Sequence, residues 1–343
     1  MNGKSTVDRI ITGAIIAVCV LSLLLGVLLI VRRRMYRPRI DTETPFQVGD
    51  VTDAGAGFTR ERGKYNFLCI GVDKVAGLSD TMMIVSVGTG GDIAVVQLPR
   101  DTYVGGVKLN SLYASGGAEA LSGVIGSSLC VKIDYTVVIG TDVFREAVDA
   151  IGGVELTVPA DMDYEDPEQD LYIHIKAGKQ VLNGTDAEGF VRYRSGYAGG
   201  DLDRIDAQKT FLKALLRKIR EDTGFDEASA LLKALLPRVS ADIPVNDALW
   251  FLELMFREGL RGSDGLIMMT LPGKALYSKE LKTSFFVIGR SGALETVNTY
   301  LNVFDTEITE EIFDSQRKFV RAGDDEFERI YTYSILSPKT VRG

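Results

Sequence analysis

The chain has 343 residues, 45% of them hydrophobic and 25% charged, proportions of an ordinary globular protein rather than a disordered, collagen-like or disulfide-dense one. The formal net charge is −8; residues 1–39 carry +6, which leaves −14 for the rest and argues against nucleic acid as a partner, though not against a local basic pocket for one phosphate group. The first element in chain order is residues 10–31, 22 positions without a charge, broken only by Thr12, Ser22 and small residues. About 20 apolar residues cross a bilayer core of roughly 30 Å, so a single transmembrane helix is expected there. A cleaved signal peptide would have a shorter apolar region followed by a small-residue cleavage site, whereas Val31 here runs into Arg32, Arg33 and Arg34. Those arginines, with Arg37 and Arg39, outnumber Lys4 and Arg9 before the span, so a literal positive-inside count holds the arginine side in the cytoplasm.

Residues 32–63 read as a linker, rich from position 40 in Gly, Asp and Thr and without helical periodicity. A domain is expected over 64–303, then an acidic C-terminal appendix over 304–343. The domain opens with short apolar runs rich in β-branched residues at 65–72, 81–87 and 93–98, the last two joined by a tight turn at 88–92 (GTGGD). Further strands are expected at 135–140, 154–158, 189–193 and 266–271. Helices are expected at 117–126, 143–150, 207–219, 227–236, 246–260 and near 294–303; over 207–219, Phe211, Leu212, Leu215, Leu216 and Ile219 share one face. Alternation of this kind predicts an α/β domain with a mixed sheet covered by helices.

Three segments set charged residues directly behind apolar strands, where α/β folds present ligand-binding groups. The first holds Asp73 and Asp80, two carboxylates flanking a short glycine-containing loop. They suit a shared Mg²⁺, which takes one or two carboxylates and fills its shell with water and phosphate oxygens, but they also suit turn capping, and spacing leaves both open. The second is Arg100-Asp101, leading to Lys108 and Asn110; an arginine there calls for a phosphate, or for Asp101 as a local ion-pair partner. The third is Arg192-Tyr193-Arg194, followed by Asp201 and Arg204. On a strand Arg192 and Arg194 point the same way, as a solvated surface pair or, more economically, with an anionic pyrophosphate between the two guanidiniums. Together these residues form a metal-and-arginine clamp suited to a diphosphate. No Walker-type loop is present, and the lone histidine, His174, excludes a multi-histidine zinc site. Cys69 and Cys130 lie in strand-like apolar contexts and are expected to be buried free thiols.

The ordered blocks FLCIGVD, SDTMMIVSV, IAVVQLPRDTYV, KLNSLYASGG, VDAIGGVELTVP, AGKQVLNG, VRYRS and GDLDRIDAQ resemble the LytR–CpsA–Psr family of bacterial envelope proteins over about residues 66–212. The resemblance implies an α/β/α sandwich with a central mixed sheet and a hydrophobic pocket for a polyprenyl chain. It implies a cytoplasmic N-terminus at 1–9, one membrane span and an extracellular domain held at the cell membrane, against the charge count above. It further implies transfer of a glycopolymer, such as a teichoic acid or capsular polysaccharide, from a polyprenyl-pyrophosphate carrier to a peptidoglycan acceptor. In that reading Asp73 and Asp80 ligate Mg²⁺ and, with Arg100 and Arg192, are catalytic. Arg194 and Arg204 join those two arginines on the pyrophosphate, supported by Asp101, Lys108, Asn110 and Asp201. The chain departs from the family pattern at Leu78 and Ala207, where arginines are usual, and has Lys74 where an arginine often follows the first aspartate. Two alternatives accompany the transferase: a non-catalytic polyprenyl-lipid-binding envelope protein, and a lipid-carrier pyrophosphatase.

Overall fold

The computed structural model describes residues 38, 60, 63–73, 78–167, 171–194, 201–258, 266–278, 281–315 and 333–335, with the backbone alone at 73, 78, 201–203, 258, 315 and 333–335. The span expected at 10–31 lies outside these residues; among those described, no helix is long and apolar enough to cross a membrane. The architecture below is that of the unit Ile40–Gly343.

Strands β1 (Lys64–Asp73), β2 (Leu78–Gly88) and β3 (Ile93–Leu98) form an antiparallel meander. The turn between β2 and β3 closes with Gly88 N–H donating to the Asp92 carbonyl at 2.8 Å, and Gly91 takes a φ of 89° that suits only glycine. Side chains alternate along the meander. Leu68, Ile70, Met82, Ile84, Val96 and Leu98 enter one core, whereas Cys69, Met83, Val85, Ile93 and Val95 line a cavity on the opposite face. Both faces are apolar, which is why these strands read as near-continuous hydrophobic runs rather than as alternating ones.

A small ribbon, β4 (Tyr103–Val104) with β5 (Val107–Lys108), leads into α1 (Leu109–Leu129), which buries Leu109, Leu121, Ile125 and Leu129 against the first core. Only its second half was legible as a helix; Gly117, at φ 66° and ψ −162°, interrupts it. Strand β6 (Tyr135–Gly140) runs parallel to β1 and passes into α2 (Thr141–Ala150). Two ribbons follow from β7 (Val154–Val158), β8 (Met162–Asp166), β9 (Leu171–Ile175) and β10 (Gly178–Leu182), paired β7 with β10 and β8 with β9.

The strand expected at 189–193 is instead the end of a helix, α3 (Gly184–Arg192). Asn183 caps it, its side-chain oxygen accepting from Asp186 N–H at 2.9 Å, and Ala187 and Phe190 bury one face at helical spacing. The long helix α4 (Asp201–Glu221), α5 (Phe225–Leu235), the short β11 (Ser240–Ala241) and α6 (Val245–Glu258) come next. Strand β12 (Leu266–Thr270) pairs parallel to β3 and completes a six-stranded mixed sheet of order β11-β6-β1-β2-β3-β12. A second antiparallel sheet joins β13 (Gly273–Ser278), β14 (Thr283–Ile288) and, after α7 (Arg290–Thr296), a π-helical turn at Val297–Leu301 and α8 (Glu310–Ser315), the strand β15 (Tyr333–Ile335). Ile308 and Phe313, within the stretch expected as an acidic appendix, pack in the first core. The expected mixed sheet is thus present, with α1 over one face and α3 and α4 over the other.

Candidate functional site

The cavity between the sheet and helices α2, α3 and α4 has a volume of about 870 Å³. Its lining changes character in one direction. Along β2 it reads Asp80, Thr81, Met83, Val85; along α4 it reads Arg204, Gln208, then Phe211, Leu212, Leu215 and Leu216. The two elements are in step, because Gln208 Nε2 donates to Thr81 Oγ1 at 3.2 Å and Arg204 Nη2 to the Asp80 carbonyl at 3.4 Å. At a helical rise of 1.5 Å per residue, Arg204 to Leu216 spans roughly 18 Å from a charged end to an apolar one.

At the charged end the structure brings together Asp80, Arg100, Arg192, Arg194 and Arg204 from four separate segments. Arg100, directly after β3, donates from Nη1 to Asp80 Oδ1 at 2.6 Å, both side chains being mostly buried. Arg204 is 4% exposed, low enough that an anionic or carbonyl partner is required to offset its desolvation. Arg192 and Arg194 both line the cavity, although not by strand alternation. Arg192 ends α3, and the chain then extends through the buried Tyr193 to the exposed Arg194.

Other expected residues fall elsewhere or beyond description. Asp101 pairs with Lys108, Oδ1 to Nζ at 3.1 Å, and Asn110 is buried at the start of α1; none of the three lines the cavity. Asp73 closes β1 and Asp201 opens α4, but their side chains lie outside the described residues. His174 is exposed on β9, its Nδ1 2.6 Å from Asp163 Oδ1, away from the cavity. Cys69 and Cys130 are free thiols; Cys69 lines the cavity, and burial pushes its pKa up to about 12.

Three cavity residues escaped the sequence reading. Glu188 is buried on α3 and accepts from Arg192 Nη1 at 2.8 Å. Gln208 accepts from Gln97 and donates to the Val191 carbonyl at 3.0 Å, tying α4 to β3 and α3, and Thr81 accepts from the same amide. The signal that would have found Glu188 is its four-residue spacing to Arg192, which carries meaning only once that stretch is read as helix.

Asp80 suits a hard divalent ion by chemistry, being a partly exposed carboxylate on the cavity wall beside a hydroxyl. Among the described residues no three His, Cys, Asp or Glu side chains gather, so an ion held there would draw on few protein ligands and on phosphate oxygens and water, as Mg²⁺ does. An arginine-lined head joined to an apolar body fits an amphipathic ligand with an anionic group and a hydrocarbon tail.

The LytR_cpsA_psr family model matches residues 36–302. Among curated proteins, the "Probable cell wall biosynthesis protein LcpB" of Corynebacterium glutamicum is 38% identical over 175 residues, covering 44% of this chain and 41% of the relative. The "Polyisoprenyl-teichoic acid--peptidoglycan teichoic acid transferase TagV" of Bacillus subtilis is 26% identical over 200 residues, covering 54% of this chain and 51% of TagV. The chain therefore spans about half the length of these relatives or less. The crystal structure of B. subtilis TagV superposes with a TM-score of 0.60 at 22% identity, covering 76% of this chain and 98% of that one. A structure of TagT bound to LIIa-WTA superposes with a TM-score of 0.56 at 19% identity, covering 74% and 91%.

Proposed function

The chain belongs to the LytR–CpsA–Psr family, and from that membership and the polarity of the cavity we propose that it is a phosphotransferase moving a glycopolymer from a polyprenyl-pyrophosphate carrier to peptidoglycan. The observation that carries the reading is a cavity lined by four arginines at one end and by Phe211, Leu212, Leu215 and Leu216 at the other. The hydrocarbon occupies the apolar part and the pyrophosphate meets Arg100, Arg192, Arg194 and Arg204. Guanidinium forks match phosphate oxygens and stabilise the charge that develops on them during transfer.

In the proposed reaction an acceptor hydroxyl attacks the sugar-linked phosphorus, the bridging P–O bond to the lipid phosphate breaks, and polyprenyl phosphate leaves. The hydroxyl proton passes to an aspartate of the site. Asp73 and Asp80 would hold Mg²⁺, which supplies charge neutralisation between the phosphates. Arg100 holds the Asp80 carboxylate in place meanwhile. We place the domain outside the cell membrane, anchored by residues 10–31, on the family resemblance and against the arginines at 32–34; a long domain can translocate despite such charges. Protease added to intact cells should digest it; survival until lysis overturns that orientation.

The direct test supplies the full chain with a polyprenyl-pyrophosphate-linked glycan, Mg²⁺ and peptidoglycan and follows release of polyprenyl phosphate. Turnover that Arg100→Ala and Arg192→Ala leave untouched sinks the residue assignment. A second reading, lipid binding without turnover, is favoured by Ala207, which packs against the apolar cluster of Val154, Leu182, Phe190 and Phe211 where the family pattern carries an arginine. Tight lipid binding with no product over any acceptor would establish it. A carrier pyrophosphatase would release the free phosphorylated glycan instead of joining it to peptidoglycan.

A further inference from the structure

Glu188 lines the cavity one helical turn before Arg192, its side chain 8% exposed. A carboxylate so buried is costly unless both oxygens are engaged. Here Oε1 accepts from Arg192 Nη1 at 2.8 Å, and Oε2 lies 3.1 Å from Nη1 of Arg145 on α2. The two guanidiniums differ in setting. Arg192 is 14% exposed and lines the cavity, whereas Arg145 is 44% exposed and does not. Helices α2 and α3 approach closely enough for this bridge because residue 184 is glycine; a β-carbon there would collide with the Arg145 backbone carbonyl. Glu188 is therefore anchored through Arg145 on one side and braces Arg192 on the other.

We propose that Glu188 is a positioning residue that holds the Arg192 guanidinium at the cavity wall, so that an anionic head group meets it already oriented. The identity of that ligand rests on the pyrophosphate reading above; the bracing itself does not. Two effects of the carboxylate oppose each other. Its charge repels an incoming anion, while the order it imposes on a long side chain spares the ligand that cost. Glutamine keeps an acceptor oxygen without the charge, and alanine removes both, so the pair separates the two effects.

The test titrates the full chain with farnesyl pyrophosphate as the probe. Bracing predicts that Glu188→Ala weakens the probe roughly five- to tenfold, that Glu188→Gln stays within about twofold, and that Glu188→Ala adds nothing in an Arg192→Ala background. Arg145→Ala removes only the anchor and leaves the Glu188–Arg192 contact, so it should weaken the probe less than Glu188→Ala does; a loss as large as that of Glu188→Ala would confine Glu188 to joining α2 and α3 and overturn the bracing. Unchanged or tighter binding by Glu188→Ala, or an equal loss without Arg192, overturns the proposal. A second readout needs no ligand: the ¹⁵Nε–Hε cross-peak of Arg192, assigned by its loss in Arg192→Lys. Its heteronuclear NOE should fall in Glu188→Ala and persist in Glu188→Gln; an unchanged value in Glu188→Ala also overturns the bracing. If the wild-type chain does not bind the probe, the donor reading fails while the NMR result still decides the role of Glu188. Glu188→Met carries both measurements if the alanine variant does not fold.

Discussion

Removing Arg100 should weaken pyrophosphate binding more than the loss of one contact explains, and removing Asp80 as well should restore part of it. Arg100 Nη1 sits 2.6 Å from Asp80 Oδ1, with side chains 20% and 28% exposed. In the proposed reading, truncation to alanine deletes a charge-assisted contact to the phosphate, worth about 1.5–3 kcal/mol. It also uncovers Asp80. Two charges about 5 Å apart in an effective dielectric of ~20 repel by roughly 3 kcal/mol, which partial exposure reduces to about 1.5 kcal/mol. The total, about 3–4.5 kcal/mol, corresponds to a Kd raised roughly 10²–10³-fold. Arg100→Ala/Asp80→Asn should then bind about tenfold tighter than Arg100→Ala alone, a negative coupling that a simple contact list does not predict. The assay is competition against a fluorescent farnesyl pyrophosphate on the full chain in EDTA, so that Asp80 acts as a charge and not as a metal ligand. A double variant no tighter than Arg100→Ala, or a single-variant loss under about threefold, refutes the electrostatic picture.

The remaining expectations concern the scaffold. Burial pushes the Cys69 and Cys130 thiols up to about 12. Iodoacetamide at pH 8 should thus modify them roughly a thousandfold more slowly than an open cysteine, and peptide mapping that finds the ordinary rate contradicts this. Gly184→Ala forces a β-carbon against the Arg145 carbonyl and should cost about 1–3 kcal/mol, or roughly 2–8 °C in Tm by calorimetry; an unchanged Tm removes the close-approach argument. The Asp161 carboxyl is held below its ordinary range by the Ala177 N–H, at 2.8 Å, and by Lys176. A carboxyl depressed in the folded state contributes above its unfolded pKa and loses that contribution as pH falls through the folded one. The Ala177 amide should therefore stay protected from hydrogen exchange through the usual aspartate titration range and open only below it. Opening within that range would count against the contact.

Much of the sheet was readable because β1, β2 and β3 are apolar on both faces and the glycine-rich turn at 88–92 separates β2 from β3. The helix α3 was not. GFVRY at 189–193 has the short β-branched look of a strand, and the features that make it helical lie upstream, in the Asn183 cap and in Gly184 packing on α2. That one misreading hid Glu188, since a glutamate four residues before an arginine has no special meaning on a strand. Arg192 and Arg194 nevertheless reached the cavity wall, through a helix end and an extended exit rather than through alternation. Asp101, Lys108 and Asn110 were grouped with the arginines by nearness in sequence. In space, Asp101 and Lys108 pair with each other across the β4–β5 ribbon, and Asn110 starts α1.

The meander turns one face, carrying Cys69, Met83, Val85 and Val95, toward a hollow instead of toward packed side chains. A hydrocarbon tail entering that hollow would act as a missing layer of the protein's own interior, and binding would be coupled to folding. Occupancy should then register as thermal protection, about 2.7 kcal/mol when ligand stands at a hundred times its Kd. Such burial also carries a negative heat-capacity change. If the proposed lipid occupies it, a chain stripped of that lipid would be the less stable form of the same fold, and detergent extraction alone would lower its melting temperature with no residue altered.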